Sequence, residues 1–165
     1  MLPGFGKLSE TQFQITKDAL TWITVLIAGA DGEIEPEETQ WATKVAKIRS
    51  YHNPNELTPF YEAVGPEFSD KLKDFIGKMP KDLGEREAIL IRKLSQLNSI
   101  LPLLENNLGH HLIASYRSFA KHVAKASGGF LGFFSINADE SKFIGLTMLK
   151  DIPFEEPDDY DVEEE

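Results

Sequence analysis

Ala30-Asp31-Gly32-Glu33-Ile34-Glu35-Pro36-Glu37-Glu38-Thr39-Gln40-Trp41 is the stretch that decides how this chain is read. Asp31-Gly32 is a turn dipeptide, and proline after Glu35 suits the first position of a helix. A second stretch, Ser135-Ile136-Asn137-Ala138-Asp139-Glu140-Ser141-Lys142-Phe143, aligns with it without a gap from Ile34 and Ile136. Glu38 and Glu140 are identical in that alignment, while Glu37/Asp139, Thr39/Ser141 and Trp41/Phe143 match in chemistry. A repeated acidic helix start predicts two related helical halves.

Outward from the first copy, the period is helical almost everywhere. Residues 19–30 form the longest nearly apolar stretch, and a membrane span needs roughly twenty such residues. The stretch therefore reads as a buried helix, capped by Ser9 with Gln12 three residues on. Phe13, Leu20, Ile23, Ile27 and Ala30 share one face, and Asp31-Gly32 ends the helix. Trp41, Val45 and Ile48 are the inner face of the next. Asn53-Pro54 and Thr58-Pro59 predict a connection and a short helix at residues 60–64. Gly65-Pro66 is expected to open a separate helix carrying Phe68, Leu72, Phe75, Ile76 and Met79, which Pro80 stops.

Leu90, Leu94, Leu97, Leu101, Leu104 and Leu108 then alternate four and three apart, a heptad seam that Pro102 interrupts. Two helices are expected there, followed by one with Leu112, Tyr116, Phe119, Val123 and Ala126 inside and Gly128-Gly129 at its end. Asn137 is expected to cap a last helix running to about Asp151. The fold class is all-α: a compact bundle of six to eight helices in two pseudo-repeated halves, about 9–79 and 85–151. One domain covers residues 1–153, and residues 154–165 form a disordered acidic tail.

Composition narrows the function. The apolar fraction of 41% and charged fraction of 27% suit a soluble globular protein. With no cysteine, disulfides, thiolate zinc sites and cysteine nucleophiles are excluded, which suits a reducing compartment. The net charge is −10, but residues 155–165 hold eight acidic groups and no Lys or Arg, which leaves −2 for the rest. No basic stripe exists to engage nucleic acid. Met1-Leu2-Pro3-Gly4-Phe5-Gly6 lacks a basic region followed by an apolar run, so neither a secretion signal nor a transmembrane segment is expected.

The acidic corner carries two readings. Asp31, Glu33, Glu35, Glu37 and Glu38 crowd eight positions, and hard cations take such oxygen ligands. Asp31, Gly32, Ile34 and Glu38 also have the spacing of the second half of an EF-hand loop. Ile27 and Gly29 stand where its earlier acidic ligands belong, so this is no EF-hand. Alternatively, Glu38 and Glu140 are third-position acids that hydrogen-bond back to a cap and complement the helix dipole by roughly 0.3–1 kcal/mol each. That reading explains both without a metal.

The run Ile27-Ala28-Gly29-Ala30-Asp31-Gly32-Glu33-Ile34, followed by Glu37-Glu38, resembles the signature of TerB-like domains, named for bacterial tellurite resistance and found in a membrane-anchored DnaJ-type co-chaperone. The stretch from Val123 through Gly128-Gly129 and Ile136 to Glu140 looks like the matching C-terminal half. The second copy departs from the first: it has Gly128-Gly129 in place of Asp31-Gly32, and about five extra residues before Ile136. The resemblance implies a non-enzymatic bacterial stress protein in the cytoplasm, or at the inner face of the membrane. It implies action through a protein partner, membrane-associated or not, or through a divalent cation. Asp31 and Glu38 would hold the cation from the first motif, with Glu140 from the second. A metal-dependent enzyme using the same acidic corner is the second expectation.

A third is an adaptor. Gly128-Gly129-Phe130-Leu131-Gly132-Phe133-Phe134 sets aromatics between glycines, so Phe130, Phe133 and Phe134 could dock a partner; the alternative is that they plug the cleft between the halves. His111 and His122 are three helical turns apart, too far to share an ion, and His110 and His111 are expected to point in different directions. Ser115 and Ser118 lack the setting of a nucleophile elbow. No catalytic constellation is legible.

Overall fold

The computed structural model describes residues 1–34, 36–52, 56–128 and 143–156, with the backbone alone at 37, 38, 41, 48, 50–52 and 126–128. Among the described residues the regular structure is all helix, without a strand. Five long helices are α1 (Glu10–Ala28), α2 (Pro36–His52), α3 (Thr58–Lys78), α4 (Leu83–Ser95) and α6 (Leu108–Gly128), with a four-residue helix α5 (Leu97–Ile100) and a 3-10 turn, Leu101–Leu103, between the last two. Among the described residues no helix is long and apolar enough to cross a membrane.

α1 is the axis of the bundle. Ser9 Oγ accepts from Gln12 N at 3.1 Å and Gln12 Oε1 accepts from Ser9 N at 2.9 Å, the reciprocal cap that the sequence predicts. Every residue from 19 to 28 is buried, because α2, α3, α4, α5 and α6 all pack on this helix. A helix apolar all round requires such a place. Two of its threonines bond back to the helix: Thr16 Oγ1 donates to Phe13 O at 2.6 Å and Thr24 Oγ1 to Leu20 O at 2.8 Å. Tyr116 of α6 donates its hydroxyl to Thr16 O at 2.6 Å. Burial, and then the neighbouring Tyr61, push the Tyr116 phenol well above the usual tyrosine range, so it remains a donor.

α2 begins at Pro36, as expected, and buries Ala42, Val45 and Ala46. α3 differs from the expectation. One helix runs through Gly65-Pro66 instead of two meeting there. Phe60, Tyr61, Val64, Phe68 and Leu72 form an unbroken buried stripe across the proline. Each such side chain contributes about 1.5–3 kcal/mol on burial, against about 3 kcal/mol for an interior proline. The stripe wins, and Pro66 itself faces solvent.

Asp82 caps α4, its carboxylate accepting from Glu85 N at 2.9 Å. The leucine seam is buried at Leu90, Leu94, Leu97, Leu101 and Leu108, but it turns at Gln96, before Pro102. Asn106 and Asn107, with φ of 54° and 61°, bend the chain into α6, a conformation asparagine tolerates. Leu112, Tyr116, Phe119 and Val123 are fully buried along α6.

The last helix, expected to reach Asp151, ends at Ile144. Phe143 and Ile144 are helical, and then two turns follow, closed by Leu146 N to Phe143 O and Leu149 N to Leu146 O, both at 2.9 Å. Residues 151–156 run irregularly. The reason is competition for carbonyls: Arg117 and Asn98 take the main-chain oxygens of Gly145, Met148 and Leu149. The repeat of the two halves rests on residues 135–142, which lie outside the described residues.

Candidate functional site

The acidic corner is built on the end of α1. Gly29 closes the helix, its N–H reaching Val25 O at 3.0 Å, and Gly32 N then reaches Gly29 O at 3.0 Å. Gly32 has φ of +102°, which only glycine adopts easily, so the turn needs glycine there. Asp31 is exposed, and its Oδ1 accepts from Glu33 N at 3.0 Å, the self-bonding turn typical of aspartate. Glu33 is also exposed, whereas Ile34 packs against the core and anchors the turn.

Behind this turn lies Arg86, only 6% exposed. Its Nη2 donates to Gly29 O at 2.7 Å and to Gly32 O at 3.3 Å. A buried guanidinium there meets the negative end of the α1 dipole and satisfies carbonyls that the helix leaves over. Arg86 therefore fixes the turn from inside while Asp31 and Glu33 face out. The arrangement limits any cation to the outer side, because the carbonyls at the inner side already face a positive charge.

Of the residues expected to hold a metal, Asp31 alone has a described side chain. Glu38 has its backbone in α2 and its side chain outside the description; Glu140 lies outside the described residues, as do Phe130, Phe133 and Phe134. Among the described residues no three His, Asp or Glu side chains are placed to hold a metal ion. Beginning at Pro36, a groove of about 390 Å³ runs between α2 and α3, with Leu72 and Ile76 at its floor and Gln40 and Lys73 at its rim. Thr39 and Thr43 also line it, but their hydroxyls donate to the backbone of α2.

A second cluster joins α2, α3 and α6. Arg49 Nη1 donates to Ser115 Oγ at 2.8 Å, Ser115 O at 3.0 Å and Tyr61 Oη at 3.1 Å, and Nη2 donates to Ser118 Oγ at 2.9 Å. The Tyr61 and Ser115 hydroxyls bond to each other. The guanidinium also lies over the Tyr61 and Phe119 rings, with centroids at 5.5 and 5.8 Å. Tyr61 is fully buried and Ser115 nearly so, which gives a substrate no route to either hydroxyl. The cluster staples three helices.

Neither Arg49 nor Arg86 stands out in the sequence by residue type. The signal was present as spacing. Arg86 stands four residues before Leu90 and eight before Leu94 on the buried stripe of α4. Arg49 stands four after the buried Val45 of α2. His110 and His111 also differ from the expectation of diverging side chains, since both rings pack on Phe154, at 5.7 and 6.0 Å. Compared with protein-family models, with curated proteins and with solved structures, the chain finds no match in any of the three.

Proposed function

We propose that this chain is a non-enzymatic helical binding module that works through the Asp31–Glu33 turn, taking a partner protein or a divalent cation on its outer face. One observation carries the reading: the turn is fixed from within by the buried Arg86, so its exposed acids are presented in one geometry. A preorganised turn loses less conformational freedom on binding. The resemblance of residues 27–38 to TerB-like domains supports the same reading. The association with tellurite resistance or general stress, and a place in the cytoplasm or at the inner membrane face, rest on that resemblance alone. Glu38 and Glu140 are the further ligands this reading would recruit to a cation.

Calorimetric titration of the full chain with calcium, magnesium, manganese and zinc, beside Asp31→Ala, tests the cation arm. Saturable heat that Asp31→Ala abolishes supports it. No heat with any ion ends that arm and leaves partner capture, for which Asp31→Lys should abolish co-purification of the partner.

A further inference from the structure

The groove between α2 and α3 holds about 390 Å³, near the small end of the range for small-molecule sites. The two helices pack antiparallel, since Arg49 near the end of α2 bonds to Tyr61 near the start of α3. Along the groove Thr43 therefore stands level with Ser69, Gln40 with Lys73, and Pro36 with Ile76. From Ser69 to Ile76 the groove runs about 10 Å by helical rise.

Its apolar part is the buried Leu72, with the half-buried Ile76 and the ring of Pro36. Its polar groups divide into two sets. Thr39 and Thr43 donate their hydroxyl protons to Pro36 O and Thr39 O, at 2.8 and 3.0 Å, and keep only acceptor lone pairs. The side chains of Gln40, Ser69 and Lys73, by contrast, have no hydrogen-bond or ion-pair partner among the described residues. The other lysines of α3 are engaged: Lys71 pairs with Asp18 and Lys78 with Asp74, both at 2.7 Å. One cation, one hydroxyl and one amide thus line the same apolar groove with their bonding capacity unused. A few polar groups over an apolar floor are what orients a small ligand.

The chemistry of the lining selects the ligand. Lys73 is the one basic group in it, so a single carboxylate is matched in charge. A phosphate group would bring a second negative charge with no cation to meet it. An ionised carboxylate only accepts, and the Ser69 hydroxyl and the Gln40 amide are donors. Leu72, Ile76 and Pro36 offer no side-chain donor or acceptor, so the rest of the ligand is aliphatic.

We propose that the α2–α3 groove is a binding site for a small aliphatic monocarboxylate. The carboxylate lies on Lys73, Ser69 and Gln40, and the chain runs over Leu72 toward Ile76 and Pro36. The site is independent of the Asp31 turn. It takes an anion and not a cation, and Asp31→Ala leaves it unchanged, so the two readings fail separately.

Octanoate is the probe, titrated into the full chain below its micelle concentration and followed by amide NMR shifts. Saturable shifts are expected at Gln40, Thr43, Ser69, Lys73 and Ile76, and none with acetate, which lacks the chain. Octanol should bind about fivefold more weakly, the scale of one exposed charge pair. Lys73 is exposed, so Lys73→Glu should keep native far-UV dichroism. This variant should lose octanoate and take octylammonium in its place, which adsorption to an apolar surface would not reproduce. Three results overturn the proposal: no saturable shift with octanoate, equal affinity for octanoate and octanol, or octanoate binding indifferent to Lys73→Glu. A short peptide ending in a free leucine carboxylate that binds about tenfold more tightly than octanoate also overturns it, because the groove would then serve a protein terminus.

Discussion

Arg86 Nη2 lies 2.7 Å from the carbonyl oxygen of Gly29, across 57 residues of chain. This one bond ties the first turn of α4 to the last of α1 and sets the corner from which α2 departs. Replacing Arg86 with Met keeps the stem and removes the donors. Gly29 O then keeps only the Gly32 N–H and Gly32 O loses the Arg86 donor, which costs about 1–3 kcal/mol at a buried helix end. Urea unfolding should show that loss in the midpoint. Arg86→Lys should fall between, since it keeps the charge but lacks the planar fork. A midpoint for Arg86→Met equal to the native one would show that the Gly32 N–H alone satisfies Gly29 O and that Arg86 adds no stability there.

How much of this was legible depends on which force decides each element. Caps and apolar stripes act locally, so Ser9-Gln12, the Pro36 start and the faces of α1 and α6 could be read directly. Gly65-Pro66 misled because the proline rule is local, whereas the stripe through Phe60, Val64, Phe68 and Leu72 gains its energy from helices far along the chain. The end of the chain misled for the same reason. Residues 143–156 have a helical pattern of apolar residues, and their backbone is claimed by Asn98, Asn107 and Arg117, which no local window contains. At the candidate site, the Asp31-Gly32 turn was legible and its Arg86 support was not, because Arg86 lies 54 residues beyond Gly32, outside any local window.

Pro66 gives a direct check on the continuous α3. It is exposed, so Pro66→Ala removes no packing. The alanine restores an N–H within the helix and relieves an interior proline, a gain of up to about 3 kcal/mol. The unfolded chain becomes freer, which returns about 0.4–1 kcal/mol. A net rise of about 1–2 kcal/mol in unfolding free energy is expected. No change, or a loss, would mean that the helix is interrupted at this point in solution.

Two glycines should respond in opposite directions. A Cβ on Gly77, near the end of α3, meets nothing within 4 Å, so Gly77→Ala should stabilise by about 0.5–1 kcal/mol through helix propensity. A Cβ on Gly109 would stand 2.5 Å from Leu101 O, a backbone atom that cannot easily move. Gly109→Ala should destabilise by about 1–3 kcal/mol through overpacking. Thermal melts of the two variants side by side separate the effects, and two shifts of the same sign would contradict the close approach of α6 to the 3-10 turn.

Glu67 predicts how the bundle meets acid. It takes a hydrogen bond from Lys17, lies 3.5 Å from Lys71 and lies 3.5 Å from Gln14 Nε2, joining α1 to α3. Burial pulls its carboxyl upward, but the Lys17 hydrogen bond and charge, with Lys71 and Gln14, outweigh that and hold it below the ordinary range. A carboxyl lowered on folding stabilises above its unfolded value, and the contribution is lost as pH falls through the folded one. The side chain is 34% exposed, so solvent screens the pair to about 0.5–1 kcal/mol. At pH 7 the native chain should therefore exceed Glu67→Gln in urea unfolding by that amount, and the gap should close as pH falls below the ordinary carboxylate range. The closing gap is the diagnostic feature, because once Glu67 is protonated both side chains are neutral and Lys17, only 13% exposed, has lost its anion in either protein. A difference that stays constant with pH would assign the effect to packing and remove the ion pair from the account of stability.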